Sequence, residues 1–187
     1  MSKSKGNVVN PWEMFDKYGA DTMRLWMYSV TQPGDSKNFD EKTVKELQNK
    51  FFNTLENCLQ ILKITETADE KTFEVKADNV MDQWIVSYFN QTHQTVTSSL
   101  EKYDMFTSSR VIREFVTDLS QWYVRRSRDG LKENAQTRAV LRSVLNNFAV
   151  MIAPFIPFTA EWLFNETGGE GSVHLIKWNT ETLSVDN

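Results

Sequence analysis

The sequence predicts an all-α protein built as an antiparallel helix bundle. Its 187 residues include only 7 Gly and 4 Pro, fewer than a turn-rich sheet protein needs. Apolar side chains recur every three or four residues over long stretches, as they do along the buried face of a helix. The 12 Phe, 6 Trp and 5 Tyr supply large apolar surfaces for one core. These observations favour a globular bundle over a disordered chain.

Two short helices are predicted ahead of the bundle. Asn10-Pro11 is typical of a helix start, and Gly19 is expected to end that helix. Asp21 is expected to cap a second, nearly all-round apolar helix, which the Gln-Pro-Gly run at 32–34 ends. Residues 1–37 are therefore interpreted as the end of a different region, and residues 38–187 as a helical domain with a short C-terminal tail.

Four long helices are predicted after residue 37. Their apolar rows run from Val44 to Leu62, from Met81 to Leu100, from Ile112 to Trp122 and from Leu141 to Ile152. Asn38 with Glu41 resembles a capping box at the first of these helices. Gly130 is expected to end the third helix, and Pro154 the fourth. A short helix around Trp162 and an extended segment over 172–178 are expected to complete the domain.

Composition limits the environment and the chemistry of the chain. A single cysteine, Cys58, can form neither an internal disulfide nor a cysteine-rich zinc site, which favours a reducing cytoplasm and no metal site. No apolar run approaches the length of a membrane span, so no membrane partner is expected. The formal net charge is −4. Any attraction to nucleic acid must therefore come from a local basic surface.

The N-terminal loop is one candidate for chemistry. Met1-Ser2-Lys3-Ser4 continues as Lys-Gly-Asn and precedes the first predicted helix. A mobile lysine with N–H and O–H donors is suited to a polyphosphate on which charge builds during transfer. Residue chemistry alone favours a simpler interpretation, in which the run is a solubilising tail.

A cluster of arginines near the end of the third helix is the other candidate. At α-helical spacing Gln121, Arg125 and Arg128 share an outward side, whereas Trp122 and Arg126 continue the core-facing row. Two outward guanidinium groups suit RNA phosphates.

Arg138 and Arg142 on the next helix are expected to enlarge this patch. The alternative is a solvated basic helix end that complements the helix dipole, with Arg126 in a buried ion pair.

Several stretches resemble class I aminoacyl-tRNA synthetases. Met1-Ser2-Lys3-Ser4 resembles the Lys-Met-Ser-Lys-Ser signature without its leading lysine, and Tyr-Gly-Ala-Asp-Thr-Met-Arg at 18–24 resembles the segment that follows the signature. Trp-Tyr-Val-Arg-Arg-Ser-Arg at 122–128 is similar to a stretch of isoleucyl-tRNA synthetases. Residues 153–161 and 172–178 resemble runs of the anticodon-binding domain of these enzymes. The resemblance covers nearly the whole chain.

This resemblance implies a bundle of the class I anticodon-binding type, from an enzyme that activates isoleucine with ATP and transfers it to tRNA-Ile. Lys3 is the expected catalytic residue, and the expected ATP-binding residues are Met1, Ser2, Lys3 and Ser4. The expected tRNA-binding residues are Trp122, Arg125, Arg126, Arg128, Arg138 and Arg142.

The resemblance further implies that ATP with Mg²⁺ binds the full-length parent, whereas this chain alone is inactive, holds neither stably and is a monomer. Its partners would be tRNA and the catalytic and editing domains of the parent chain. A valyl or leucyl parent is an alternative, and so is a helical protein-interaction module that does not bind RNA.

Overall fold

The computed structural model describes residues 9–32, 34–36, 38–66, 75–178 and 183 of the chain. Within these ranges the chain is helical and contains no β-strand, which confirms the all-α prediction. None of the described helices combines the length and the apolarity needed to cross a lipid bilayer.

Most elements lie where the apolar periodicity predicts them. The α-helices are α1 (Pro11–Tyr18), α2 (Ala20–Ser29), α3 (Glu41–Leu47), α4 (Asn53–Thr65), α5 (Val80–Glu101), α6 (Met105–Asp118), α7 (Arg128–Glu133), α8 (Ala135–Ile152) and α9 (Pro157–Glu166). Two π-helical turns interrupt the long helices: π1 (Gln48–Phe52) joins α3 to α4, and π2 (Leu119–Val124) extends α6. Val173–Leu175 forms a 3₁₀ turn where an extended segment was expected.

Helix boundaries follow the predicted capping residues at some ends and not at others. Asn10 caps α1 by accepting from the backbone N–H of Trp12 at 3.1 Å, and Gly19 ends it at φ 81°. Asp40, not Asn38, caps α3. Gly130 does not end a helix as predicted but lies inside α7. Asn134 ends α7 and also caps α8.

The core lies between α4, α5, α6 and α8. Only a tight turn joins α5 to α6, so these two helices run antiparallel. Aromatic side chains fill the centre: the Phe115 ring stacks on Phe148 at 5.1 Å and meets the edge of Phe89 at 5.8 Å. Phe115 and Phe148 are fully buried. The bundle is therefore a rigid frame for the residues at its surface.

Helix α2 is fastened to the corner between α8 and α9. The Asp21 carboxylate accepts from the backbone N–H of Thr159 at 2.6 Å and from its hydroxyl at 2.7 Å. Arg24 donates to the carbonyls of Phe155 at 2.9 Å and Pro154 at 3.1 Å. The prediction that Asp21 caps its own helix is therefore wrong. Its carboxylate instead serves α9, whose first N–H groups have no side-chain cap of their own.

Candidate nucleic-acid interface

The π2 turn determines which side chains leave the bundle surface. Leu119, Tyr123, Val124 and Ser127 are buried, whereas Trp122 is 45 % exposed and Arg126 is exposed. The predicted core-facing row through Trp122 and Arg126 is therefore wrong. That row assumed 3.6 residues per turn throughout, whereas a π turn bonds residue i to i+5 and rotates everything beyond it.

A buried hydrogen-bond network fixes the rotation of π2. The Tyr123 hydroxyl donates to the Asp82 carboxylate at 2.6 Å, and the same carboxylate accepts from Thr137 Oγ1 at 3.0 Å and Asn79 Nδ2 at 2.5 Å. Asp82 is fully buried. Burial raises the pKa of its carboxyl above the usual 3.8, although the three hydrogen bonds act in the opposite direction. The network joins α5, π2 and α8, so Tyr123 cannot turn outward and Trp122 must.

Trp122 and Arg126 form a cation–π pair on this surface. The guanidinium carbon of Arg126 lies 3.7 Å from the centroid of the Trp122 ring. The Trp122 ring also lies 6.5 Å from the Trp84 ring, and Trp84 stacks on Tyr88 at 5.2 Å. A half-exposed indole beneath an arginine plane offers the kind of flat, cationic platform on which nucleobases stack.

Arg125 and Arg128 flank this pair and are exposed. In the described part of the chain neither side chain makes a hydrogen bond or an ion pair. Their guanidinium groups therefore face solvent with all of their donors available. We call Trp122, Arg125, Arg126 and Arg128 the π2 surface. Bidentate binding of phosphate oxygens is the chemistry that such guanidinium groups perform best.

The structure places Arg138 and Arg142 differently. Arg138 is only 6 % exposed and donates to the carbonyl of Leu131 at 2.7 Å, near the end of α7. Arg142 forms an ion pair with Glu66, and both side chains are about four-fifths buried. These guanidinium groups are already engaged by the protein, so they do not extend the exposed patch. The buried ion pair considered for Arg126 is not found, since Arg126 is exposed.

A second cationic site lies between α2, π1 and α6. Lys50, Arg110 and Arg113 line a cavity of about 370 Å³ together with the hydroxyl residues Ser29 and Thr117. Sequence reasoning missed this site. Arg110 and Arg113 lie three residues apart on one helix, which was a visible signal, but the contributions of α2 and π1 could not be seen before the fold was known.

Two further expectations concern chemistry rather than the bundle. The loop Met1-Ser2-Lys3-Ser4 lies outside the described residues, so its role remains a prediction. Across the described ranges, no group of three or more His, Cys, Asp or Glu side chains is arranged to hold a metal ion.

Comparison with protein families gives two matches. Residues 82–187 match the family described as the anticodon-binding domain of tRNA ligase. Residues 1–40 match the family of class I tRNA synthetases for I, L, M and V. The first match covers more than half of the chain and includes the whole π2 surface.

Individual relatives extend the likeness over nearly the whole length. The chain is 40 % identical to an isoleucine-tRNA ligase of Deinococcus radiodurans, over 96 % of this chain and 18 % of that protein. It is 35 % identical to an isoleucine-tRNA ligase of Clostridium novyi, over 99 % of this chain and 19 % of that protein. The chain thus spans less than a fifth of the length of these relatives.

Solved structures share the fold. The LeuRS of Agrobacterium radiobacter K84, in its ternary complex with tRNA and LeuAMS, superposes with a TM-score of 0.70 at 21 % identity, over 96 % of this chain and 22 % of that one. Methionyl-tRNA synthetase of Mycobacterium tuberculosis, in complex with methionyl-adenylate, gives 0.75 at 17 % identity, over 88 % and 35 %. At these identities the likeness establishes the fold alone.

Proposed function

This chain belongs to the family of tRNA-ligase anticodon-binding domains, and from that membership we propose that it is the tRNA-binding part of an isoleucine-tRNA ligase. The parent enzyme would react isoleucine with ATP to form isoleucyl-adenylate and pyrophosphate. It would then transfer the isoleucyl group to the terminal ribose of tRNA-Ile and release AMP. The isoleucine-tRNA ligases among its relatives support this choice of amino acid. The full activity needs parts of the parent that lie outside this chain.

The observation that carries the proposal is the π2 surface. The chain has a net charge of −4, so RNA must be held by a local group of cations. Arg125 and Arg128 offer uncommitted donors for backbone phosphates, and the Trp122–Arg126 pair offers a platform for an unstacked base. Phosphate and base contacts would thus arise within two turns of one helix. Arg138 and Arg142 would act through the frame that supports this surface.

Residues 1–37 would link tRNA docking to ATP chemistry. In this proposal Lys3 stabilises the pyrophosphate side of the transition state, while Met1, Ser2 and Ser4 help to hold ATP with its Mg²⁺. The family match over residues 1–40 supports this assignment. Asp21 and Arg24 would carry the link, because they fasten α2 to the α8–α9 corner of the bundle. The chain alone would be a cytoplasmic monomer without ligase activity.

Fluorescence anisotropy with labelled tRNA tests the proposal. The 187-residue chain would be titrated against tRNA-Ile, tRNA-Val and an unrelated tRNA at low and moderate salt. We expect the tightest binding to tRNA-Ile, and affinity for every tRNA should fall steeply with salt because phosphate contacts release counterions. Tighter binding to tRNA-Val would indicate that the parent is a valyl-tRNA synthetase.

Charge reversal separates RNA binding from the protein-interaction alternative. The double variant Arg125→Glu/Arg128→Glu should lose nearly all affinity, because like charges would then face the phosphates. Reversing two exposed lysines away from this surface, Lys102→Glu/Lys177→Glu, changes the net charge equally and provides the control. Binding that ignores both salt and the double reversal would favour a protein-interaction module and reject the tRNA proposal.

A further inference from the structure

The cavity between α2, π1 and α6 has the chemistry of an anion site. Three cations line it, Lys50, Arg110 and Arg113, against one lining carboxylate, Glu114. Ser29 and Thr117 add hydroxyl groups to the same wall. The volume of about 370 Å³ is ample for one phosphate group, and neutral donors beside guanidinium groups suit its oxygens.

Arg113 is the central group of this cavity. Its guanidinium donates to Ser29 Oγ at 3.1 Å, and it forms no ion pair anywhere in the described chain. The side chain is half-buried. Burial and the neighbouring charge of Arg110 lower the pKa of Arg113. The charge of Glu114 acts in the opposite direction but forms no ion pair with Arg113. An anion in the cavity would therefore further stabilise this partly buried charge.

The other two cations keep most of their charge for a ligand. Lys50 reaches Glu46 at 3.4 Å, but both side chains are at least half exposed, so this pair is weak. Arg110 is exposed and lies 5.4 Å from the centroid of the Phe106 ring. Neither arrangement neutralises the cavity.

The cavity and the π2 surface lie along the same side of one continuous helix. Residues 113, 117, 121 and 125 follow one another in steps of four. In a pure α-helix each step of four residues rotates the side-chain direction by about 40° about the helix axis. The wider π2 turn rotates the chain by less per residue and so reverses most of this rotation. Arg113 and Arg125 therefore point to similar sides, about 18 Å apart along the axis.

We propose that this cavity binds a backbone phosphate of the same tRNA that contacts the π2 surface. The inference rests on the proposed tRNA-binding function and adds a second point of attachment to it. Contacts of this kind carry no sequence information but fix the position of an RNA on a protein. The cavity would orient the tRNA while the π2 surface makes the base contact.

Salt-dependent titration of tRNA-Ile against Arg113→Gln tests the assignment. Losing one phosphate contact should weaken binding about three- to tenfold at low salt and flatten the slope of log affinity against log salt by about one. Arg113→Lys should restore the slope. Lys177→Gln removes the same charge from an exposed site outside the cavity and should leave the slope unchanged. Equal slopes for Arg113→Gln and the unmodified chain would overturn the inference.

Two further variants cover the case in which Arg113→Gln fails to fold. Lys50→Gln and Arg110→Gln alter exposed side chains of the same cavity, so their folds should be intact. Each should flatten the slope, the double variant more than either single one. Slopes that stay unchanged in all three would contradict the assignment.

Inorganic phosphate separates failure of the cavity from failure of the proposed function. The Nε–H resonance of Arg113 would be followed by NMR while phosphate replaces chloride at constant ionic strength. A saturable shift that Arg110→Gln weakens supports an anion site. If phosphate binds but tRNA affinity is independent of Arg113, the site belongs to a free anion and the RNA assignment fails. If neither phosphate binding nor tRNA affinity depends on Arg113, the cavity binds no phosphate. That result would leave the proposed tRNA binding by the π2 surface unaffected.

Discussion

The arginines of α8 and those of the π2 surface are the same residue type in opposite states. Arg138 is buried against the carbonyl of Leu131, and Arg142 is paired with Glu66. Arg125 and Arg128 lie close by in sequence, yet they donate to nothing in the described chain. The first pair holds the protein together. The second pair makes no contact of that kind in the described residues, which is why we propose it for RNA phosphates.

The π2 turn, rather than local composition, adds Trp122 and Arg126 to the exposed side of the helix. Without the extra residue of a π turn, Arg126 and Trp122 would face the core and Tyr123 would not reach Asp82. Because the turn exposes Trp122 instead, the cation–π pair joins Arg125 and Arg128 on one surface. π turns inside α-helices often mark functional sites, and here the turn sets which side chains are exposed.

The largest effect on stability should come from the committed arginines. Arg138→Met removes a buried charge-assisted donor and leaves the Leu131 carbonyl without it, so we expect a loss of about 2–3 kcal/mol in the free energy of unfolding. Urea denaturation followed by circular dichroism measures this loss. Arg125→Met should change stability by less than about 0.5 kcal/mol. Equal losses for the two variants would remove the distinction between the two groups.

The anchor of π2 should show a pH-dependent effect. Asp82→Asn places an amide donor opposite Thr137 or Asn79, and we expect it to cost about 2 kcal/mol near pH 4. The folded pKa of Asp82 lies above 3.8, so the folded protein retains a proton that the unfolded chain releases as pH rises. The contribution of Asp82 to the free energy of unfolding is therefore greatest below pH 3.8, and it declines as pH rises through the folded pKa.

The difference in stability between wild type and Asp82→Asn should thus narrow from pH 3 towards pH 7. Urea midpoints of both proteins across this range measure it. A gap that widens with pH would mean that the hydrogen bonds of Asp82 outweigh its burial and that its pKa is lowered.

The junction of α2 with the bundle should show a smaller loss. Asp21→Ala removes the carboxylate oxygen that accepts from both the N–H and the hydroxyl of Thr159 and should cost about 1 kcal/mol, the usual value of a helix cap. Asp21→Asn keeps one acceptor and is the matched control. Thermal unfolding compares the two variants. If Asp21→Asn is as unstable as Asp21→Ala, charge near the α9 terminus matters more than the hydrogen bonds.

Trp122→Ala should change stability less than the variants of Arg138, Asp82 and Asp21. This variant loses the cation–π contact with Arg126, which contributes about 0.5–1 kcal/mol to the free energy of unfolding at an exposed site. Its affinity for tRNA should nevertheless fall by about 1–3 kcal/mol, the usual value of stacking one base on an aromatic ring. Trp122→Phe should keep part of the affinity. Full affinity in Trp122→Ala would leave the π2 surface with phosphate contacts alone.

The sequence predicted the helices because their apolar rows recur at one period over many turns. It also located the arginine cluster, through the resemblance of residues 122–128 to a stretch of isoleucyl-tRNA synthetases. It could not predict the partners of Asp21 or Arg113, because Thr159 and Ser29 are distant in sequence. It also missed π2, since one extra residue in a turn leaves composition and average periodicity nearly unchanged.

The salt dependence of tRNA-Ile binding by Arg125→Gln/Arg128→Gln tests the central claim most directly. If both guanidinium groups contact phosphates, the slope of log affinity against log salt should flatten by about two relative to the unmodified chain. The control variant Lys102→Gln/Lys177→Gln removes the same charge from exposed positions and should keep the original slope. Unchanged urea midpoints would show that folding does not explain the change. A slope equal to that of the unmodified chain would mean that the uncommitted arginines of the π2 surface do not hold RNA.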